Sequence, residues 1–143
     1  QKDKHSASLQ RIQIIKGSIT NNGARPSERV FDVVCSDGLE VDPTTHRCPD
    51  NGARVNIEDC SITNNVGATE LKATWRDPDF NPKDKAFYYV RVLENPTCRW
   101  STWDALKAGI KPRSDLHETI QERAWSSPIW YIPVPEDIDI FAL

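Results

Sequence analysis

The sequence has no methionine. A chain without an initiator is expected to be part of a longer translation product, with a leader or a whole domain encoded ahead of Gln1. No apolar run approaches the 18 or so residues of a membrane span. The polar start Gln1-Lys2-Asp3-Lys4-His5 is followed by no apolar core of a signal peptide. An excess of either charge is lacking: the formal net charge is −3. That leaves no basic stripe of the kind nucleic acid requires. Reaction motifs are missing too. There is no HxH, HExxH, GxSxG or glycine-rich phosphate loop. The three histidines, His5, His46 and His117, stand in a terminus, a loop and a helical or coil stretch. A catalytic metal needs three or four converging ligands, so these are read as surface residues. Asn95-Pro96-Thr97 is not a glycosylation sequon, because proline fills its middle position.

What is present is a globular composition, 38% hydrophobic and 27% charged over 143 residues. A single domain of this length buries about 68% of its unfolded surface, enough for one core. Residues 1–134 are read as that domain and 135–143 as a tail. Four cysteines stand at Cys35, Cys48, Cys60 and Cys98, with no CxxC pair and no zinc-finger spacing. An even count at wide spacing suggests two disulfides and an oxidising compartment. Three connectivities are open. Cys35–Cys48 is favoured because "CSDGLEVDPTTHRC" reads as two strand ends around a turn-rich loop, which leaves Cys60–Cys98. Closing the first loop is worth about 3 kcal/mol in the chain-entropy treatment.

Short β-branched and aromatic segments dominate the pattern. "LQRIQIIKG" (9–17) and "RVFDVVCSD" (29–37) flank an Asn22-Gly23 turn and make a hairpin. In the second, Val30, Asp32 and Val34 alternate with Phe31, Val33 and Cys35. "GLEVDPTTHRCPDNGA" (38–53) is a loop. "RVNIEDCSIT" (54–63) and "TELKATWRD" (69–77) read as strands, the latter with Leu71, Ala73 and Trp75 inward. "KAFYYVRVLEN" (85–95) is the strongest strand, with Phe87, Tyr89, Arg91 and Leu93 on one face. "IWYIPV" (129–134) is the last, with Pro128 tolerated at its start. One helix, "STWDALKAGI" (101–110), opens with a Ser/Thr cap and breaks at Gly109. The near-recurrence of "SITNNGA" (18–24) as "SITNNVGA" (61–68) is read as similar turn chemistry. The sum is a mostly β, antiparallel, immunoglobulin-like sandwich with one short helix.

Two features could carry function. In "RDPDFNPKDKA" (76–86), Asp77, Asp79 and Asn81 alternate as in the first half of a calcium loop, with Asp84 following. The glycine and final glutamate of such a loop are replaced by Pro82 and Tyr88. A turn solvated by carboxylates is the stronger reading, with calcium at Asp77, Asp79 and Asp84 the alternative. Five tryptophans form the second feature. Trp100, Trp103, Trp125 and Trp130 suit a ligand platform, but large rings more often fill a core. Burial is therefore expected, and Trp100, Trp103 and Trp125 are the candidates to face a ligand.

The runs "TWRDPDFNP", "FYYVRVLENPT-RW" and "IQERAWSSPIWY", within a match from about Leu9 to Tyr131, resemble the C-terminal portion of a large bacterial family of unknown function. Its members are typically exported, and their N-terminal part looks like a PHP-type (polymerase and histidinol phosphatase) metal-dependent hydrolase. The resemblance implies a trailing β domain with no catalytic residue of its own. It also implies an upstream catalytic domain as partner, where the divalent metal would be held. Many relatives carry tryptophan or proline at the four cysteine positions, and the joint appearance of all four here favours pairing. The alternative function is an independent secreted module that binds glycan or protein through its tryptophans.

Overall fold

The computed structural model describes residues 1–19 and 26–134. The Asn22-Gly23 turn, most of the first SITNN copy and the 135–143 tail lie outside the described residues. The elements run β1 (Leu9–Ile19), β2 (Ser27–Cys35), β3 (Lys85–Glu94), β4 (Thr97–Cys98), α1 (Trp100–Ala108), β5 (Thr119–Ile120), β6 (Arg123–Trp125) and β7 (Ile129–Tyr131). All the ladders are antiparallel. The class is mostly β with one short helix, as expected, and an immunoglobulin-like topology is compatible with these ladders.

β1 is rich in isoleucine and sits in the middle, paired with β2 on one side and β3 on the other. The far edge of β3 is shared. β6 pairs at Arg91–Leu93 and β7 at Ala86–Tyr88. Ser126 fills the gap between them. Its amide donates to the Val90 carbonyl at 3.0 Å, and its hydroxyl accepts from the Val90 amide at 2.9 Å. "AWSSPIWY" is thus two short strands lying along one edge, with Pro128 just before the second. β4 and β5 form a separate two-stranded ribbon.

The simple alternation expected in β2 fails at one point. Ile12 faces Val34 while the next residue, Gln13, faces Asp32. Val33 is the extra residue of a bulge, which changes the face that each later side chain takes. Directly paired residues share a face. Phe31 and Val34 therefore lie with Ile14 and Ile12, while Asp32 and Cys35 lie with Gln13 and Arg11.

Two expected strands do not form. Over 54–63 only an isolated Val55–Ile62 bridge exists. Asn56 and Asp59 accept hydrogen bonds from the amides of Glu58 and Ser61, two residues on. Such local bonds compete with a ladder. Cys60 then turns the chain with φ at 58°. Residues 69–77 make no ladder either, and instead cross a sheet face by side-chain contacts. The helix also differs at its start. Arg99 is the N-cap and supplies no side-chain cap, while Gly109 closes the far end at φ 67° as expected. Thr102 is buried, its hydroxyl donating to the Glu118 carbonyl at 2.8 Å. This bond ties the helix to the segment leading into β5.

The disulfides are Cys35–Cys48 and Cys60–Cys98, both with Cα atoms 5.6 Å apart. The second closes the longer loop and is worth about 4 kcal/mol on the same entropy argument. Cys35, Cys60 and Cys98 are themselves buried, with Leu9, Leu93, Ala53 and Ala105 also in the core.

Gly17 packs directly against the neighbouring strand. A Cβ there would lie 2.2 Å from the Phe87 ring of the paired strand. Gly17→Ala is expected to destabilise the chain by about 1–3 kcal/mol. The measurement is urea unfolding, with the midpoint lowered and the slope unchanged.

Candidate functional site

The stretch 75–82 is a strap across the face that carries Ile14 and Lys16. Trp75 rests on Phe31 of β2 and Tyr88 of β3, with ring centroids 5.2 and 6.3 Å apart. Asp77 then reaches the Lys16 ammonium at 2.6 Å, with both side chains over nine-tenths buried. Tyr88 donates its hydroxyl to the same carboxylate at 2.7 Å, and the Asp79 amide donates at 3.0 Å. Arg29 of β2 pairs with the Asp79 carboxylate. Lys16 also donates to the Asp79 carbonyl at 2.9 Å. Phe80 packs edge-on against Tyr131 at 4.9 Å, and the Tyr131 hydroxyl donates to the Pro82 carbonyl at 3.0 Å. One turn-rich segment is thereby fastened to β1, β2, β3 and β7.

These contacts set the acidities. Burial pushes the Asp77 carboxyl up, but the hydrogen bonds from Lys16, Tyr88 and the Asp79 amide outweigh it and hold the group below its ordinary value. Burial, with the Asp77 carboxylate alongside, pushes the Tyr88 phenol well above its usual range. Of the three aspartates read for calcium, Asp77 faces Lys16 and Asp79 faces Arg29. Asp84 donates its amide to the Asn81 carbonyl at 3.1 Å, as in a turn. A cation at these three positions would have to displace two protein cations. Among the described residues no group of three or more His, Cys, Asp or Glu side chains is placed to hold a metal.

The tryptophans depart from expectation. Trp100 is 74%, Trp103 42%, Trp125 59% and Trp130 67% exposed, and only Trp75 is tucked against the sheet. The reason is position. Trp125 and Trp130 lie on β6 and β7, the outermost strands of the β3 edge, and Trp100 and Trp103 are on α1. Trp130 leans on Phe87 at 5.3 Å, and Phe87 stacks with Tyr89. Gly17, Ile19, Phe87, Trp130 and Ile132 line a cleft of about 570 Å³. On the opposite face of β7, Ile129 and Tyr131 join Trp75, Phe80 and Ile14 around a second apolar cleft of similar size.

Two polar assemblies went unread in the sequence. The Asp32 carboxylate has no exposed surface. It accepts from the Gln13 amide at 2.5 Å and the Cys48 backbone amide at 2.7 Å. Arg11 and Arg47 stand 3.5 and 3.6 Å away, and Gln13 in turn accepts from Arg91 at 2.8 Å. The second is a hub at Asn51, whose amide nitrogen donates to Ser36 and to buried Asn95 at 3.1 and 2.9 Å. Asn95 donates onward to the Val66 carbonyl. Asp37, at φ 60°, accepts from Ser36 and the Gly67 amide. Burial raises its carboxyl, but these bonds and one from Asn51 hold it below the ordinary value. The hub fastens the long loops to the sheet.

Beside it lies a cleft of about 640 Å³ lined by Arg11, Arg54, Arg99, Arg123 and His117, with Asp50 the acidic side chain in its wall. Arg54 holds Asp50 by two guanidinium bonds, at 2.7 and 3.2 Å, and the arginine brings the carboxyl down to about 2. The Nε atoms of Arg11 and Arg99 are buried without a hydrogen-bond partner among the described residues. A buried unmet donor costs about 1–3 kcal/mol. The four arginines come from four separate segments, so no local motif announced them.

These features define a disulfide-stapled, mostly β domain with an aromatic edge and an arginine-lined cleft. A family model described as a protein of unknown function, DUF3604, matches residues 1–133, and the chain belongs to that family. No curated protein and no solved structure matches the chain.

The Lys16–Asp77 pair yields a prediction with a pH sign. Asp77→Asn leaves a buried ammonium without its counter-charge and is expected to cost about 3 kcal/mol near neutral pH. A carboxyl with a depressed folded value stabilises above its unfolded value, 3.8, and loses that stabilisation as pH falls through the folded value. The gap between wild type and variant in urea midpoint is therefore constant at neutral pH and closes below about pH 4.

Proposed function

We propose that this chain is a non-catalytic C-terminal β domain of a larger, exported PHP-type metallohydrolase, and that it packs on the catalytic domain through its aromatic edge. The observation that carries this reading is the exposure of Trp125, Ile129, Trp130 and Ile132 within eight consecutive residues. Scattered apolar surface residues are ordinary, whereas a contiguous group marks a surface used for contact. Such a group is rich in tryptophan, as interface centres are. The two disulfides support export, since they persist in oxidising compartments. On this reading the divalent metal and its ligands belong to the upstream domain. The 76–86 loop and the rings around Trp100 and Trp125 then stand at the wall of its substrate cleft.

A second reading is favoured by Trp100 and Trp103, exposed on α1. It makes the chain an independent secreted module that binds glycan or protein on a tryptophan surface.

Iodide quenching of tryptophan emission separates the two. In the isolated chain Trp125 and Trp130 are expected to be quenched, and in the longer polypeptide they are expected to be protected. Equal quenching in both, or phosphoesterase turnover by the isolated chain, would count against the docking reading. Protection of the isolated chain by a glycan would support the second.

A further inference from the structure

We propose that the cleft lined by Arg11, Arg54, Arg99, Arg123 and His117 is a binding site for a tetrahedral oxyanion of the phosphate or sulfate type. The inference is independent of the docking reading, since it concerns different residues. The first observation is a local excess of positive charge. The whole chain carries a formal net charge of −3, yet the lining of this cleft gathers four arginines against one acid, Asp50. Arg54 is matched to Asp50, and Arg11 stands near buried Asp32. Arg99 and Arg123 have no carboxylate partner among the described residues. Arg99 is also the N-cap of α1, whose first turn holds no acidic residue. Like charges drawn together without counter-charge are costly unless an anion neutralises them.

The second observation is independent of charge counting. The Arg11 and Arg99 Nε atoms are buried without a hydrogen-bond partner among the described residues. Two different arginines of one cleft each leave a donor unmet, and buried donors are ordinarily satisfied. An oxyanion in the cleft, held by their guanidiniums, would order both side chains and let these donors turn to an acceptor.

The spread of the arginines over four separate segments favours one class of anion. Arg11 is on β1, Arg54 on the loop after Cys48, Arg99 at the start of α1 and Arg123 on β6. A planar carboxylate is met by one or two guanidinium forks in its own plane. A tetrahedral anion accepts from several directions at once. The volume, about 640 Å³, also exceeds what a bare ion fills, so the anion can be carried on a small organic molecule.

The test is thermal unfolding of the 143-residue chain at constant ionic strength with inorganic phosphate, sulfate, glycerol 2-phosphate, acetate or chloride. Phosphate or sulfate is expected to raise the midpoint by about 9 °C at a hundredfold excess over Kd. Glycerol 2-phosphate binding more tightly than inorganic phosphate would identify an esterified ligand, and the reverse a free anion, each in support. Arg123→Gln, on an exposed strand edge, is expected to keep the fold and weaken phosphate binding about tenfold. Arg99→Gln with Arg123→Gln is expected to abolish it. Equal shifts with chloride or acetate, or undiminished phosphate binding by Arg123→Gln, would overturn the assignment.

Discussion

A lysine ammonium in the middle strand of a sheet, with its side chain almost wholly buried, must be neutralised where it stands. Lys16 meets that requirement through Asp77, and much of the molecule is arranged by the pairing. Bringing Asp77 to β1 draws residues 75–82 over the sheet face. Trp75 then covers Phe31, Asp79 meets Arg29, and Phe80 reaches Tyr131. The ion pair therefore does more than hold two side chains. It sets where a loop lies, and the loop in turn braces β7, a strand with only three ladder positions on β3. A hydrophobic replacement of the pair could match it in energy. It would not specify the position of the strap in the same way, because apolar contacts lack direction.

How much of this could be read from residue order follows from the physics of each element. β1, β2 and β3 were legible because long runs of β-branched and aromatic residues have few other stable arrangements. Gly109 marked the helix end for a conformational reason, its left-handed φ. The stretch 69–77, which leads into the strap, was misread as a strand, since Leu71, Ala73 and Trp75 have the period of one. What decides against a ladder is the lack of a strand alongside, which is a tertiary fact. The bulge at Val33 was invisible because nothing local distinguishes an extra residue from a regular one.

The site was less legible than the fold. The acidic spacing around Asp77 was noticed, but the partners that occupy it, Lys16 and Arg29, are far off in the chain. The tryptophans were expected inside on the strength of size alone. Size favours burial only when the chain supplies something to bury against. On β6 and β7 it supplies one neighbouring strand. The arginine cleft carried no signal at all, because Arg11, Arg54, Arg99 and Arg123 become neighbours only after folding.

One feature of the β3 edge reaches beyond recognition. An exposed strand of full length offers an unbroken row of amides and carbonyls, which invites a foreign strand to add itself. Here that row is occupied by two pieces of three residues, interrupted by Ser126-Ser127-Pro128. On the opposite side, β2 is engaged by the long loop through the Asp32 amide to the His46 carbonyl and Arg47 to the Val30 carbonyl. Among the described residues neither flank presents a continuous template, and this works against polymerisation through the backbone.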